Sequence, residues 1–321
     1  MIRSALHAAG PQAAHIASLW WLMFWVCLVV FVLVIVAMLF ALARARLRGP
    51  EIIPEPLVLR DAASERRIGV AIGVSVAATA LVLIVFLVAS VVTGRAIASL
   101  TTPDPLKIEI TGYRWWWRIQ YPDPVPANTV TTANEFHIPV GRPVLLTLRS
   151  RDVIHSLWVP PLHGKKDLIP GHPNSMWIQA DQPGRYEGQC AEFCGFQHAH
   201  MRLIIIAEPA EQFEKWLEAQ RQPAEPPADP LAQRGLQVFQ TGSCALCHAI
   251  QGTEASGQVA PDLTHLASRT TLGAATIPNS TGYLAGWIID SQHIKPGNAM
   301  PPNSLSAEDL HALLAYLGGL K

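Results

Sequence analysis

Two stretches of the chain carry almost no polar positions, Leu19 to Ala43 and Ile68 to Val92, the second interrupted only by Ser75, Thr79 and Ser90. Each is 25 residues long. About 20 helical residues cross a bilayer core, so each stretch predicts a membrane-spanning helix with room for tilt. A secretory signal has a shorter apolar core followed by a small-residue cleavage site, which favours an uncleaved first span. The segment between the spans holds Arg44, Arg46, Arg48, Arg60, Arg66 and Arg67, against Arg3 before the first and Arg95 just after the second. The positive-inside rule puts that segment in the cytoplasm and everything after Arg95 outside. Trp20, Trp21 and Trp25 then stand near the outer end of the first helix, where interfacial aromatics gather.

From Lys107 onward the pattern changes to alternation and short apolar runs separated by Pro, Gly and Asn: Lys107 to Ile110, Phe136 to Val140, Val144 to Leu148, Ser175 to Ala180, Arg185 to Gln189 and Met201 to Ala207. Strands at this spacing predict a β-sandwich or barrel. Trp115, Trp116 and Trp117 lie in a strand-like stretch, so Trp115 and Trp117 share one face and Trp116 the other. After Pro209, the positions of Phe213, Trp216 and Leu217 predict a short helix. Gln222 to Pro230 then contains four prolines in nine residues, a semi-rigid tether. Beyond it, a helix carries Gly235 and Phe239, and Ser306 caps an amphipathic helix ending at Leu317. The expected division is an outer N-terminal tail 1–18, a first span 19–43, a cytoplasmic loop 44–67, a second span 68–94, an all-β domain 101–208, a helix and tether 209–230 and an all-α domain 231–321.

Composition narrows the class. The formal net charge of the 321 residues is zero, so nothing global favours nucleic acid as a partner. Ten tryptophans, 50% hydrophobic residues and only 15% charged residues point to a membrane protein with a soluble portion. Of five cysteines, Cys27 lies in an apolar run and the others form two spaced pairs, a pattern of cofactor attachment rather than a disulfide framework.

The first pair lies in Gly188 to Met201, GQCAEFCGFQHAHM, where Cys190, Cys194, His198 and Met201 concentrate soft ligands. Such a set favours copper, zinc or iron–sulfur over magnesium or calcium. A mononuclear blue-copper site uses one cysteine and two histidines. A second thiolate lets both sulfurs bridge two copper ions, and each copper then needs an imidazole. His155, after the strand Val144 to Arg149, is the leading candidate for the imidazole that must come from elsewhere. A structural zinc site is the rival, His200 competes locally with His198, and a disulfide between Cys190 and Cys194 would be a metal-free form.

The pattern CxExCGxxHxxM, preceded by Asp152-Val153-Ile154-His155-Ser156 and by Lys165, Asp167, Pro170, Gly171 and Asn174, resembles subunit II of cytochrome c oxidase with its dinuclear CuA centre. The resemblance implies a cupredoxin fold in which Cys190 and Cys194 bridge the coppers and His155 and His198 each bind one. Met201 would be a weak ligand to one copper and the Glu192 carbonyl would bind the other. The Glu192 carboxylate would reach a magnesium or manganese ion shared with subunit I. The resemblance also implies that Trp115 lies at the surface and receives electrons; a purely packing role is the alternative.

The second pair forms Cys244-Ala245-Leu246-Cys247-His248, a CxxCH haem-attachment sequence for which a zinc knuckle is the rival. With the two flanking helices it resembles a class I cytochrome c, which implies helices crossing at Gly235, thioethers at Cys244 and Cys247 and iron bound by His248. Met300, between Ala299 and Pro301, is the expected sixth ligand, ahead of His265 and His293. Pro261 matches the position whose carbonyl orients the haem histidine, although Ala260 replaces the glycine often found before it. Trp287 is placed either on a haem propionate or in the core.

The whole resemblance is to an oxidase subunit II with a fused cytochrome c. It implies relay of electrons from haem c to CuA and on to subunit I, where oxygen is reduced to water and protons are pumped. It implies subunits I and III as partners, an upstream cytochrome c or quinol–cytochrome c reductase as donor, and a bacterial inner membrane with both termini outside. The copper ligands exclude a quinol-oxidase subunit. A CuA-type nitric oxide reductase and a stand-alone membrane-tethered carrier are the alternatives.

Overall fold

A computed structural model describes residues 4–48, 62–99 and 104–321. The chain divides into two units, residues 15–99 and residues 1–14 together with 100–321. The first consists of helices α1 (Pro11–Arg48, whose first turn belongs to the other unit) and α2 (Ala62–Ala98). At ~1.5 Å rise per residue each is well over 50 Å long, against a hydrocarbon core of ~30 Å. Helix α2 buries no residue, and Phe31, Leu33, Val34 and Leu87 are exposed, so these surfaces suit lipid rather than water. Ser75 and Thr79 return their hydroxyls to the carbonyls of Ala71 and Ser75, both at 2.9 Å, which satisfies their donors inside the helix.

Both helices run on past the apolar stretches. The segment read as a tail becomes helical at Pro11. Both described ends of the expected loop 44–67 are also helical: Arg44 and Arg46 lie in the last turns of α1, and Arg66 and Arg67 near the start of α2. Alanine, leucine and arginine are good helix formers, and long cationic side chains at a span's end can reach the headgroups without unwinding it. Arg60 lies outside the described residues.

The second unit begins with a sandwich of ten strands. β1 (Leu106–Tyr113), β2 (Trp116–Tyr121), β3 (Val130–Ala133), β5 (Val144–Ser150) and β8 (Asn174–Ile178) form one sheet in the order β3-β2-β1-β5-β8. β4 (Glu135–Pro139), β6 (His155–Trp158), β7 (Lys166–Leu168), β9 (Gly184–Cys190) and β10 (Arg202–Glu208) form the other, in the order β4-β10-β9-β6-β7. β1 runs parallel to β5, β4 runs parallel to β10, and the remaining neighbours are antiparallel. Alternation works as expected along β1, which turns Ile108 and Ile110 inward to meet Phe136, Leu157, Leu203 and Ile205 of the facing sheet. This is the cupredoxin-like domain. Helix α3 (Ala210–Arg221) closes one side with Phe213 and Leu217 in the same core, and Trp216 stacks on His137 at 4.2 Å.

After the proline-rich segment the chain folds around a second core. Helix α4 (Pro230–Thr241) starts with Pro230 in its first turn and Asp229 as its cap, whose Oδ2 accepts from Ala232 N at 3.0 Å. Two short helices follow, α5 (Cys244–Cys247) and, further on, α7 (Ser291–Ile294), with α6 (Thr281–Ile289) between them. Helix α8 (Ala307–Leu317) starts at Ser306, whose Oγ accepts from Asp309 N at 3.0 Å. α4 crosses α8 at Gly235, where a Cβ would stand 2.0 Å from Ala312 O and 2.7 Å from Tyr316 Cβ. Only hydrogen fits there. This is the cytochrome c domain.

Candidate functional site

The loop between β9 and β10 brings the first ligand set together. Cys190 ends β9, its N–H donating to Met201 O at 2.9 Å, and His155 opens the neighbouring β6. Cys190 Sγ and Cys194 Sγ are 3.7 Å apart as free, buried thiols. His155 Nδ1 lies 3.9 Å from Cys190 Sγ, and His198 Nδ1 lies 3.6 Å from Cys194 Sγ. Met201 Sδ is 3.9 Å from Cys194 Sγ, and Glu192 O is 3.3 Å from Cys190 Sγ. His155, Cys190 and Cys194 present ligand atoms all within 4.8 Å of one another. Six expected residues therefore converge on one pocket, whereas His200 turns away to Gln197 Oε1 at 2.9 Å.

The electrostatics suit a cation. Pairing with the Cys194 thiol, then with His155 and the Glu192 carbonyl, pulls Cys190 to about 3 against the cost of burial. The same pairing, with burial, pushes Cys194 up. Thiolates are the metal-binding form, so a bound metal ion would favour the deprotonated state of both sulfurs. Asp152 was not singled out as a functional residue by the sequence reading, although it stands three residues before His155. Its Oδ1 lies 2.8 Å from His155 Nε2, which fixes the ring and leaves Nδ1 toward the sulfurs. Burial opposes charge on His155, but Asp152 and Cys190 outweigh it and hold its pKa above the ordinary value. Gly112 on β1 gives the ring its space: a Cβ there would come within 2.8 Å of His155 Cδ2. The Glu192 carboxylate faces outward and pairs with Lys165 Nζ at 3.2 Å.

The second set surrounds a largely apolar cavity of about 420 Å³ lined by Cys244, Cys247, His248, Trp287 and Met300. His248 Nδ1 donates to Pro261 O at 2.7 Å, and burial lowers the ring's pKa, so the neutral imidazole keeps Nε2 for a metal. Met300 is on the lining; His265 and His293 are not. His265 Nδ1 is instead 2.8 Å from Lys321 O. Arg269 also lines the cavity, with Nε unpartnered, and no motif in the sequence marks it. A flat apolar macrocycle with two thioether attachments and two axial ligands fits these residues.

Trp115 joins the two sites. It is not at the surface, being only 9% exposed, because the cytochrome c domain lies over it. Its Nε1 donates to Cys194 O at 2.9 Å, its ring edge lies beside Gly297 of the other domain, and the residue is on the lining of the cavity. Trp116 and Trp117 open β2 and alternate, half-buried and buried, whereas Trp115 stands before the strand in the β1–β2 turn, so its burial does not come from the strand alternation expected for it.

Two family profiles match the chain: cytochrome c oxidase subunit II, periplasmic domain, over residues 125–208, and cytochrome c over residues 232–321. Cytochrome c oxidase subunit 2 of Alkalihalophilus pseudofirmus is 38% identical over 248 residues, covering 75% of this chain and 70% of the relative. The Bacillus subtilis subunit 2 is 30% identical over 229 residues, covering 68% of this chain and 63% of its own length. The crystal structure of the periplasmic domain of cytochrome oxidase subunit II from Bradyrhizobium japonicum is 30% identical and covers 38% of this chain and 97% of that one, with a TM-score of 0.35. The first profile implies CuA copper and the second implies haem c.

Proposed function

Because the chain belongs to the subunit 2 family of cytochrome c oxidase, a membrane-anchored component of haem–copper oxidoreductases, we propose that it relays electrons through haem c to CuA and on to subunit I, for reduction of oxygen to water coupled to proton pumping. The observation that carries this reading is Trp115, one indole that lines the haem cavity and donates a hydrogen bond to the carbonyl of Cys194. Bound haem and copper supply the one-electron chemistry; the protein supplies position, dielectric and potential.

Cys244 and Cys247 would fasten the macrocycle, and His248, aimed by Pro261, and Met300 would be the residues offered to its iron. Cys190 and Cys194 would hold the copper pair between them, with His155 and His198 each supplying an imidazole and the Met201 thioether and the Glu192 carbonyl as the weaker donors, the six groups lying together around the two sulfurs. Bridging thiolates spread charge over both ions, so the ligands need to move little when one electron arrives. The sandwich supports this by fixing His155 from three sides, through β6, Gly112 and Asp152. The outward Glu192 carboxylate, paired here with Lys165, would be the group offered to a magnesium or manganese ion shared with subunit I. An upstream cytochrome c or quinol–cytochrome c reductase would be the donor, subunits I and III the companions in a bacterial inner membrane, and both cofactor domains would face the periplasm. Cys194→Ser should abolish the delocalised dicopper absorption and electron-spin signature while haem stays attached. A dicopper spectrum that persists in this variant would reject the ligand set.

A further inference from the structure

The two cofactor domains meet around one buried cation. Lys295, in the turn after α7, is 2% exposed, and its Nζ donates to Trp115 O at 2.8 Å, His200 O at 2.8 Å and Gly273 O at 2.9 Å. Two of these carbonyls belong to the sandwich and one to the cytochrome c domain. Three acceptors use all three protons of an ammonium group; a neutral amine has only two to give. Burial draws Lys295 down to about 7 against the opposing pull of Cys194, and a buried ammonium is tolerated only where its protons find acceptors, as these three carbonyls provide.

Further hydrogen bonds cross the same seam, among them Arg202 N to Ala274 O at 3.2 Å. Glu135 of β4 accepts from Thr270 Oγ1 at 2.6 Å and from Thr270 N at 3.2 Å, Gln197 Nε2 donates to Pro296 O at 2.8 Å, and Arg118 donates to Gln258 O. None of these hydrogen bonds reaches Trp115, whose ring edge also lies beside Gly297 of the Lys295 turn. The Lys295 ammonium is bonded to the backbone of the residue whose ring lines the haem cavity, and a few residues along its own loop is Met300.

We infer that Lys295 is a positioning residue, the pin that holds the cytochrome c domain over Trp115 in the pose from which electrons pass to copper. The inference rests on the relay reading above. The transfer it serves moves one electron from reduced haem to the oxidised copper pair, with no bond made or broken and no proton required. Without the pin the remaining seam contacts would hold the domain more loosely, and its pose over Trp115 would have to be regained before each transfer.

The test uses the full chain with haem and copper bound, comparing wild type with Lys295→Met, a side chain of similar length that donates nothing. Hydrogen–deuterium exchange should rise in residues 111–118, 196–202 and 271–276 while the sandwich core stays protected. After rapid reduction of the haem, electron arrival at copper should slow by roughly tenfold or more and become dependent on solvent viscosity, with both absorption spectra unchanged. Wild-type protection or a wild-type rate in the variant would overturn the inference, as would a slower transfer indifferent to viscosity, which would make the lysine part of the cofactor environment instead of a pin. If Lys295→Met does not accumulate, Lys295→Gln is judged by the same outcomes. A wild-type chain with no haem-to-copper transfer would reject the relay, and exchange alone would then decide whether the lysine pins the domains.

Discussion

Met300 is presented to its cavity by a backbone held at three points. Its N–H donates to Asn298 Oδ1 at 2.8 Å, and its carbonyl accepts from Ser291 Oγ and Gln292 Nε2, both at 2.7 Å. A thioether raises the potential of a haem relative to a second imidazole. Met300→Ala should therefore remove the sulfur-to-iron absorption and lower the haem potential in a redox titration, while Cys244 and Cys247 keep the haem attached. At this scale most of the site was legible, because thiols, imidazoles and a thioether at fixed spacing have few chemical uses. Lys295 was not. A lysine followed by Pro296 and Gly297 reads as a solvated turn, and its acceptors are carbonyls that any residue would supply.

At the scale of elements, the crossing of α4 over α8 is set by the absence of one side chain. A Cβ on Gly235 would overlap Ala312 O at 2.0 Å, and backbone cannot yield as a flexible side chain can. Gly235→Val should cost about 3 kcal/mol or more, measured as a fall in the denaturant midpoint of cytochrome-domain unfolding followed through haem absorbance. Gly286→Ala, whose Cβ would meet nothing nearer than 3.9 Å, is the control for helix propensity. The long spans, six of the strands and these two helices could be read from apolar periodicity. β6 and β7, four and three residues long, could not be, since their pairing with β9 and with each other is decided by the sandwich and not by local pattern.

For the whole molecule, periodicity and composition separate a membrane hairpin, a β domain and an α domain, but they carry no sign of how the last two meet. That seam relies largely on backbone carbonyls, which accept from Lys295, Gln197 and Arg118, together with the buried Glu135, and it covers the tryptophan expected at the surface. The proline-rich segment, too, is more than a spacer: Ala224 N donates to Gln251 O at 2.9 Å, and Pro223 lies against Gly252, so the strap is laid along the domain it leads to. A polypeptide secured in this way cannot lend its haem to a neighbour. Each molecule should then load its own copper with a half-life that stays the same when the preparation is diluted a hundredfold (a factor of roughly 10² is ample to reveal a second-order step), and a half-life that lengthens on dilution would mean that electrons are being traded between copies.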